Sequence, residues 1–278
     1  MSTCDVFARR MEEQFGTRHP VAFITGSTKP RVGRGVADML AQCGFRIVLH
    51  GHTRPADEPP PSDLLAGCPP ELVVYGDVAE EQLVRHWLQQ IDEQCGRIDL
   101  VVHTAAIWQP CPLERLQAAD YEKMFRVNAL STALICQHFG LRMSDQPTGG
   151  AIVTIGDWAV RRPYRDFAAY FTSKGAVPTI TQSMAVELAL RNPRVRVNAI
   201  LPGPVKLSDS LPAERRQAIV EESLLKRVGS PDDVAWAVLF LALSPFVTGV
   251  CLPVDGGRSI YAGPAADPVA HPDVAGPD

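Results

Sequence analysis

The chain has 278 residues, of which 46% are hydrophobic and 21% charged, and its formal net charge is −4. This length suits one large α/β domain with a well-buried core, and the slightly acidic balance offers no basic field for nucleic acid. The first residues lack the apolar run of a signal peptide and no stretch reaches membrane-spanning length, so we expect a cytoplasmic protein without a membrane partner.

Short apolar runs alternate with helical patterns along the chain. Residues 1–19 are predicted to be an N-terminal extension with a short helix. The predicted strands are 21–25, 45–50, 71–75, 98–103, 151–155, 195–200 and 249–254. The predicted helices are 32–44, 80–96, 119–143, 166–191 and 231–243, whereas 55–70 has too many prolines for a helix.

These strands are near-continuous runs of Val, Ile and Leu, which is typical of a parallel sheet covered on both faces by helices. We therefore predict an α/β fold with a Rossmann-like, doubly wound parallel sheet in a single domain over 20–262. The tail 263–278 is dominated by Pro, Ala, Gly and Asp and is predicted to be disordered.

The loop after the first strand, TGSTKPRVGRG (25–35), is rich in glycine. Gly26 and Gly33 are predicted to let backbone N–H groups and a helix N-terminus approach a pyrophosphate. Such a loop can also be a simple connector, so it does not establish a cofactor site alone.

The second strand runs into HGHTR (50–54), without the acid that NAD-preferring folds place against the ribose 2′-hydroxyl. Arginine here favours a 2′-phosphate, and therefore NADP(H), although Arg54 could equally be a solvated loop cation. The predicted contacts are His52, Thr53 and Arg54, with Arg31 or Arg34 from the first loop. No metal site is predicted, because the two histidines have no third ligand and the seven cysteines form no C-x-x-C pair.

Tyr170 and Lys174 are four residues apart, which places both on one face of a helix. A nearby ammonium is expected to lower the pKa of Tyr170 and make it a usable acid. Asp157 lies thirteen residues before Tyr170. Because an ionised carboxylate only accepts hydrogen bonds and repels a developing alkoxide, we expect a substrate rich in N–H donors. A helix N-cap or a loop acid is the alternative role for Asp157.

The glycine loop, the Tyr-x3-Lys pair and the Pro-Gly after the strand 195–200 resemble the short-chain dehydrogenase/reductases over roughly residues 20–260. In that family a tetrad serine stands where this chain has Asp157, and an Asn-Ala-Gly stands where it has TAA (104–106). The resemblance implies that the catalytic residues are Asp157, Tyr170, Lys174 and Asn128. It also implies cofactor contacts at Asp77, Val78, Thr104, Ala105, Lys174, Pro202 and Gly203.

Within the family the chain resembles the pteridine reductase branch, whose first loop matches TGSTKPRVG apart from one inserted residue and whose tetrad serine is aspartate. The resemblance implies that Arg31 contacts the cofactor phosphate and the pterin, and that Trp108 stacks on the pterin. The substrate-binding residues would be Arg31, Trp108, Asp157 and Tyr170. Trp108 as a buried anchor or an oligomer contact is the alternative.

The leading hypothesis is therefore NADPH-dependent hydride transfer to a C=N bond of a dihydropterin-like bicycle. Tyr170 would supply the proton, Lys174 would hold the nicotinamide ribose, and Asn128 would order a water molecule. The second hypothesis is reduction of a carbonyl, such as a 3-oxoacyl thioester, which requires a protonated Asp157. The third is an NADP(H)-sensing protein without turnover. The family resemblance also implies a substrate lid at 204–225 and a homotetramer.

Overall fold

The computed structural model describes residues 3–55, 65, 68–207 and 211–261. The predicted tail 263–278 and most of the proline-rich segment lie outside the described residues. The strands are β1 Val21–Thr25, β2 Arg46–Gly51, β3 Leu72–Tyr75, β4 Leu100–His103, β5 Gly150–Ile155, β6 Val195–Pro202 and β7 Cys251–Val254. The helices are α1 Thr3–Phe15, α2 Val32–Gln42, α3 Glu81–Cys95, α4 Ala118–Phe125, α5 Ser131–Ser144, α6 Ala168–Ala189, α7 Ala213–Glu221 and α8 Pro231–Leu243.

In the described part of the chain the seven strands form one parallel sheet in the order β3-β2-β1-β4-β5-β6-β7. The predicted α/β, Rossmann-like single domain is thereby confirmed. After β3 the chain returns past β2 and β1 and forms β4 on the other side of β1. The strand that follows β1 and the strand that follows β4 therefore lie on opposite sides of this central pair. A crevice at the carboxyl ends of such strands is where doubly wound sheets bind their ligands.

Helices cover both faces of the sheet and bury two apolar cores. On one face, Phe15 of α1, Leu40 of α2 and Val238 of α8 pack together. On the other, Trp87 of α3 and Phe139 of α5 pack against the sheet. Because both faces are covered, each central strand is apolar on both sides, which explains the continuous Val, Ile and Leu runs.

Helix α1 is packed onto the domain. Its Met11 and Phe15 are fully buried, and the Phe15 ring meets Phe45 edge-on with centroids 6.2 Å apart. Phe7 of the same helix lies 6.3 Å from the Trp236 ring on α8. None of the described helices is long and apolar enough to cross a membrane.

The structure differs from the prediction of one continuous helix over 119–143. Between α4 and α5 the residues Arg126–Leu130 form a turn of π-helix. The Ser131 hydroxyl donates to the Val127 carbonyl, and the Thr132 hydroxyl donates to the Asn128 carbonyl 2.7 Å away. Single π turns of this kind are frequent at functional sites, and this one carries Asn128.

Candidate active site

A cleft of about 840 Å³ opens where β1, β2 and β4 end. Its lining includes nine of the predicted cofactor contacts: Gly26, Arg31, Gly33, His52, Thr53, Asp77, Val78, Thr104 and Ala105. Arg54, Lys174 and Pro202 are not part of this lining, and Gly203 lines a neighbouring pocket of about 370 Å³. Lys29, which lies in the glycine loop but was not among the predicted contacts, also lines the cleft and adds a cation.

The glycine loop packs closely against Thr104 after β4 and leaves the N-terminus of α2 without a side-chain cap. Gly26 has a φ of +66°, and a Cβ on Gly33 would lie 2.4 Å from the Thr104 hydroxyl oxygen. No side chain caps the N-terminus of α2, so its first N–H groups remain available to an anion. These features fit the pyrophosphate of a dinucleotide.

The two loop arginines have different roles. Arg34 Nε donates to the Ser27 carbonyl at 2.9 Å, and its Nη2 donates to the Thr28 carbonyl at 3.1 Å. Arg34 therefore braces the loop from within, whereas Arg31 is exposed and lines the cleft. Of the two predicted alternatives, Arg31 lines the cleft and Arg34 does not.

His50 holds the cofactor cleft together and is not free to bind a metal. Its Nδ1 accepts from the Gly26 N–H at 3.1 Å, and its Nε2 donates to the Gly76 carbonyl at 3.1 Å. Burial lowers its pKa to about 4, so the ring is neutral at neutral pH. Among the described residues no group of three or more His, Cys, Asp or Glu side chains could hold a metal ion.

A second buried histidine, His103, ties the cofactor loops to the π-helical turn. Thr25 Oγ1 accepts from the Thr104 and Ala105 N–H groups at 3.0 and 3.1 Å, so its own proton points to His103 Nδ1 at 2.9 Å. His103 Nε2 then donates to Ser131 Oγ at 3.0 Å. Burial lowers the pKa of His103 to about 3, which keeps this directed chain of hydrogen bonds intact.

Asp157, Tyr170 and Lys174 meet where β5 ends and α6 begins. The Tyr170 hydroxyl donates to Asp157 Oδ2 at 2.7 Å. Asp157 Oδ1 accepts from the Ala159 N–H at 2.8 Å, so the carboxylate also caps the turn Trp158–Arg161, which is the alternative role considered for it. Lys174 Nζ donates to the Ile155 carbonyl at 2.7 Å.

The electrostatics of this group differ from the expectation that Lys174 lowers the pKa of Tyr170. Burial, and then the Asp157 carboxylate, raise the pKa of Tyr170 well above its usual value. Burial also raises the pKa of Asp157, although the Tyr170 hydroxyl opposes this. Burial lowers the pKa of Lys174 to about 8, against the effect of Asp157. Tyr170 is therefore a protonated phenol at neutral pH, and Asp157 is easier to protonate than an exposed aspartate.

Asn128 is held by protein groups. Its Oδ1 accepts from the Ile107 N–H at 2.9 Å, and its Nδ2 donates to the Ile107 carbonyl and the Ser173 hydroxyl, both at 3.0 Å. The side chain thus joins the π-helical turn to the segment after β4 and to α6. Both amide hydrogens are therefore in use, and a water that Asn128 orders would have to donate to the second lone pair of Oδ1 or bind another group.

Trp108 contributes to an aromatic wall beside Tyr170. Its indole stacks on Phe167 with centroids 4.7 Å apart, and its Nε1 donates to the Tyr164 hydroxyl at 3.3 Å. The indole is 58% exposed, so it is not the buried anchor considered as an alternative. Tyr164 itself meets Phe171 edge-on at 4.8 Å and was missed in the sequence, where no spacing links it to the catalytic residues.

Comparison with known proteins agrees with this fold and arrangement. A family model described as enoyl-(acyl carrier protein) reductase matches residues 28–259. Carbonyl reductase family member 4 of Danio rerio is 34% identical over 231 residues, covering 82% of this chain and 94% of the relative. Short chain dehydrogenase/reductase astE of Aspergillus oryzae is 28% identical and covers 90% and 98% of the two chains.

Among solved structures, aldohexose dehydrogenase of Thermoplasma acidophilum, in its ligand-free form, has the same fold with a TM-score of 0.78. It is 25% identical, and the match covers 92% of this chain and 98% of that one. The matched family model spans most of the glycine loop, the Tyr170–Lys174 pair and the last strand. The chain therefore belongs to the short-chain dehydrogenase/reductase family of oxidoreductases.

Proposed function

We propose that this protein is an NADP(H)-dependent reductase of a carbonyl group, in which Tyr170 supplies the proton. The observation that carries the proposal is the buried pair in which the Tyr170 hydroxyl donates to Asp157 at 2.7 Å. The name of the Danio rerio relative, a carbonyl reductase, supports the same chemistry. Carbonyl reduction was the second hypothesis from the sequence, and the comparisons favour it over reduction of a pterin.

Reduction of a carbonyl requires Asp157 to donate a hydrogen bond, although both of its oxygens accept hydrogen bonds in this structure. An ionised carboxylate beside a carbonyl oxygen would oppose the negative charge that develops there. Because burial raises the pKa of Asp157, its neutral form is more accessible and can donate a hydrogen bond as a serine hydroxyl would. Closing the site with substrate would remove more water and favour that form further.

In the proposed reaction the hydride and the proton come from different groups. A bound nicotinamide would supply the hydride to the carbonyl carbon. Tyr170 would turn its hydroxyl from Asp157 to the carbonyl oxygen and transfer its phenolic proton there, since a phenol is a stronger acid than an aliphatic alcohol. Lys174 lies one helical turn from Tyr170, and its ammonium would stabilise the phenolate that remains.

The preference for NADP(H) remains part of the proposal. The cleft is lined by Lys29, Arg31 and His52, and the β2 end carries no carboxylate among residues 50–54. Cations in this position pair with a 2′-phosphate, whereas a 2′-hydroxyl calls for an acceptor. Arg54 lies outside the lining, so Lys29 and Arg31 are the stronger candidates.

A second candidate function is the NADPH-dependent reduction of a dihydropterin or a related bicycle. It is favoured by the exchange of serine for Asp157, whose ionised form pairs with ring N–H and amino groups. The exposed indole face of Trp108, beside Tyr164 and Phe167, offers a flat surface to such a ring. A carbonyl substrate needs neither feature.

Oxidation of NADPH by the purified protein tests both functions directly. The substrates would be simple ketones, 3-oxoacyl thioesters, dihydrobiopterin and dihydrofolate, each with NADPH and with NADH. Turnover of a carbonyl with NADPH supports the proposal, and turnover of dihydropterins alone overturns it in favour of the second candidate. Tight NADPH binding without oxidation by any of these compounds would favour a cofactor-sensing protein.

We also propose that the protein forms a homotetramer, as its resemblance to the family implies. Trp236 and Phe240 on α8 are each 54% exposed, and Phe246 after it is fully exposed. Large exposed aromatic side chains next to one another are typical of surfaces that meet a partner. Light scattering after size-exclusion chromatography measures the assembly mass, and a monomer of 30.3 kDa would contradict this proposal.

A further inference from the structure

Arg258 joins three parts of the molecule that are far apart in sequence. It lies in the turn after β7, and its guanidinium carbon is 4.9 Å from the centre of the Trp158 ring. Its Nη1 donates to the Ile219 carbonyl of α7 at 2.9 Å, and its Nη2 forms an ion pair with Glu222. Trp158 directly follows the catalytic Asp157. One side chain thus connects α7, the last turn and the catalytic segment.

Helix α7 packs only shallowly on the domain, with Ala218, Ile219 and Val220 half-buried. Its nine residues include no buried side chain, and a helix this short is marginal in water without packing. After the helix, the Ser223 hydroxyl donates to the Gly256 carbonyl at 3.0 Å, and the Leu225 N–H donates to the same carbonyl at 3.2 Å. The guanidinium of Arg258 adds a hydrogen bond from the last turn to the carbonyl of Ile219 in the helix itself.

Stability alone does not account for this arrangement. Arg258 is only 6% exposed, and its Nε is a buried donor without a hydrogen-bond partner among the described residues. A buried arginine with an unpaired N–H is often no more stabilising than an apolar side chain of similar volume. A second cation, Arg162, lies 5.6 Å from the same indole and donates to the Arg258 carbonyl at 3.0 Å. Two arginines therefore hold Trp158 in one position.

The position of Trp158 matters because it determines where the Asp157 carboxylate lies. Asp157 Oδ1 accepts from the N–H of Ala159, the residue after Trp158, while Oδ2 accepts from Tyr170. A movement of the indole would shift Ala159 and pull the carboxylate away from the tyrosine. Trp158 also lies in one apolar cluster with Tyr170 and Phe171, against which Phe167 of the aromatic wall packs. The same contact therefore borders the region where the substrate would bind.

We propose that Arg258 is a positioning residue that locks α7 and the last turn onto Trp158, and thereby fixes both the Asp157 carboxylate and one wall of the substrate site. The proposal rests on the function proposed above. It adds a specific coupling between α7 and the proton-donating pair, through the indole of Trp158.

The test compares Arg258→Met, Arg258→Lys and Lys226→Met in the full chain. Lys226 is the control for losing a cation at the end of α7, because it is exposed, donates to the Glu221 carbonyl at 2.7 Å and lies 5.2 Å from the Tyr261 ring, and neither contact is made to Trp158. In Arg258→Met we expect kcat/KM to fall by about tenfold to hundredfold, the effect of a displacement of roughly 1 Å. Arg258→Lys should recover much of the loss, and Lys226→Met should change the value by less than about twofold.

Two further readouts separate positioning from general damage. The dissociation constant for NADPH should stay within about twofold in Arg258→Met, since Arg258 does not line the cofactor cleft. Water admitted beside Asp157 should lower its pKa towards the ordinary value, so the fall in carbonyl turnover with rising pH should begin at lower pH. An unchanged pH profile and rate in folded Arg258→Met, or an equal loss in Lys226→Met, would overturn the proposal.

Hydrogen exchange tests the coupling between α7 and the turn that contains Trp158 even if no substrate is turned over. With NADPH bound, amides in 158–161 and in 213–221 should exchange faster in Arg258→Met than in Lys226→Met. Faster exchange in both segments of an inert enzyme would refute the proposed function and keep the coupling. Exchange that is unchanged, or faster in only one segment, would refute the coupling itself.

Discussion

Replacing Asp157 by serine separates the two proposed substrates. Serine keeps a hydroxyl oxygen that can accept from the Ala159 N–H, so the cap of the turn is preserved. It removes the carboxylate that accepts from Tyr170 and supplies a permanent donor instead. Carbonyl turnover should therefore persist and lose its dependence on the protonation of Asp157. Dihydropterin turnover should fall, because the acceptor for ring N–H groups is lost.

The size of the effect follows from the bond that is removed. A hydrogen bond to a charged group contributes about 1.5–3 kcal/mol, which corresponds to roughly tenfold to hundredfold in rate. We expect this loss in kcat/KM for a dihydropterin. The pKa of Tyr170 should fall when the carboxylate is gone, and so should that of Lys174, which Asp157 raises. The alkaline fall in activity should therefore move to lower pH.

The assay is the pH profile of kcat and kcat/KM for each substrate, with the dissociation constant for NADPH measured in parallel. Asp157→Ala is the control for the cap, because it removes both hydrogen bonds and should cost about 1 kcal/mol of stability. The reasoning is refuted if Asp157→Ser loses carbonyl turnover as strongly as dihydropterin turnover. It is also refuted if NADPH binding weakens in parallel with either rate.

Three further predictions concern the charged and titratable groups. Burial lowers the pKa of Lys174 to about 8, so activity should decrease above that pH. Lys174→Arg should move this decrease to higher pH because a guanidinium stays charged, and a decrease at the same pH would contradict the assignment. The pKa values of His50 and His103 in the folded protein are about 4 and about 3, below the value of 6.5 for an unperturbed histidine. The unfolded chain therefore binds protons first as pH falls, so the stability that the neutral rings contribute is complete above pH 6.5 and is lost towards these lower values. In urea unfolding, the free energy of unfolding should fall by about 1.4 kcal/mol per pH unit for each histidine in this window. His50→Asn or His103→Asn should reduce this slope, and His86→Asn, at an exposed position, should not change it. Arg31→Met should raise the dissociation constant for NADPH about tenfold to hundredfold and leave that for NADH within about twofold, whereas equal losses would place Arg31 on the pyrophosphate.

Much of the fold could be predicted because burial on both faces marks each strand locally. The helix 231–243 also agrees in its bounds, since Ser230 caps it and Pro231 occupies its first turn. The π-helical turn could not be predicted from the pattern of 119–143. It depends on hydrogen bonds between Asn128 and Ile107, which are twenty-one residues apart and meet only in the folded chain.

The candidate catalytic group was also predicted only in part from the sequence. Helical spacing places Tyr170 and Lys174 on one face, and their register with Asp157 correctly suggested proximity. The predicted direction of the Tyr170 pKa was wrong, because burial and then the Asp157 carboxylate raise it. Arg258 lies 101 residues after Asp157, and no local pattern indicates that the last turn contacts the catalytic segment.

The net charge of the buried group links these observations to substrate choice. With serine in the tetrad, the Lys174 ammonium would leave the site positive and suited to a developing alkoxide. Here an ionised Asp157 cancels that charge, and the site becomes neutral overall. A carbonyl substrate would then need one extra proton on Asp157, whereas an N–H-rich ring would need the carboxylate ionised. The two substrates therefore place opposite demands on one carboxyl group, so the pH at which each is reduced fastest identifies the protonation state that the enzyme uses.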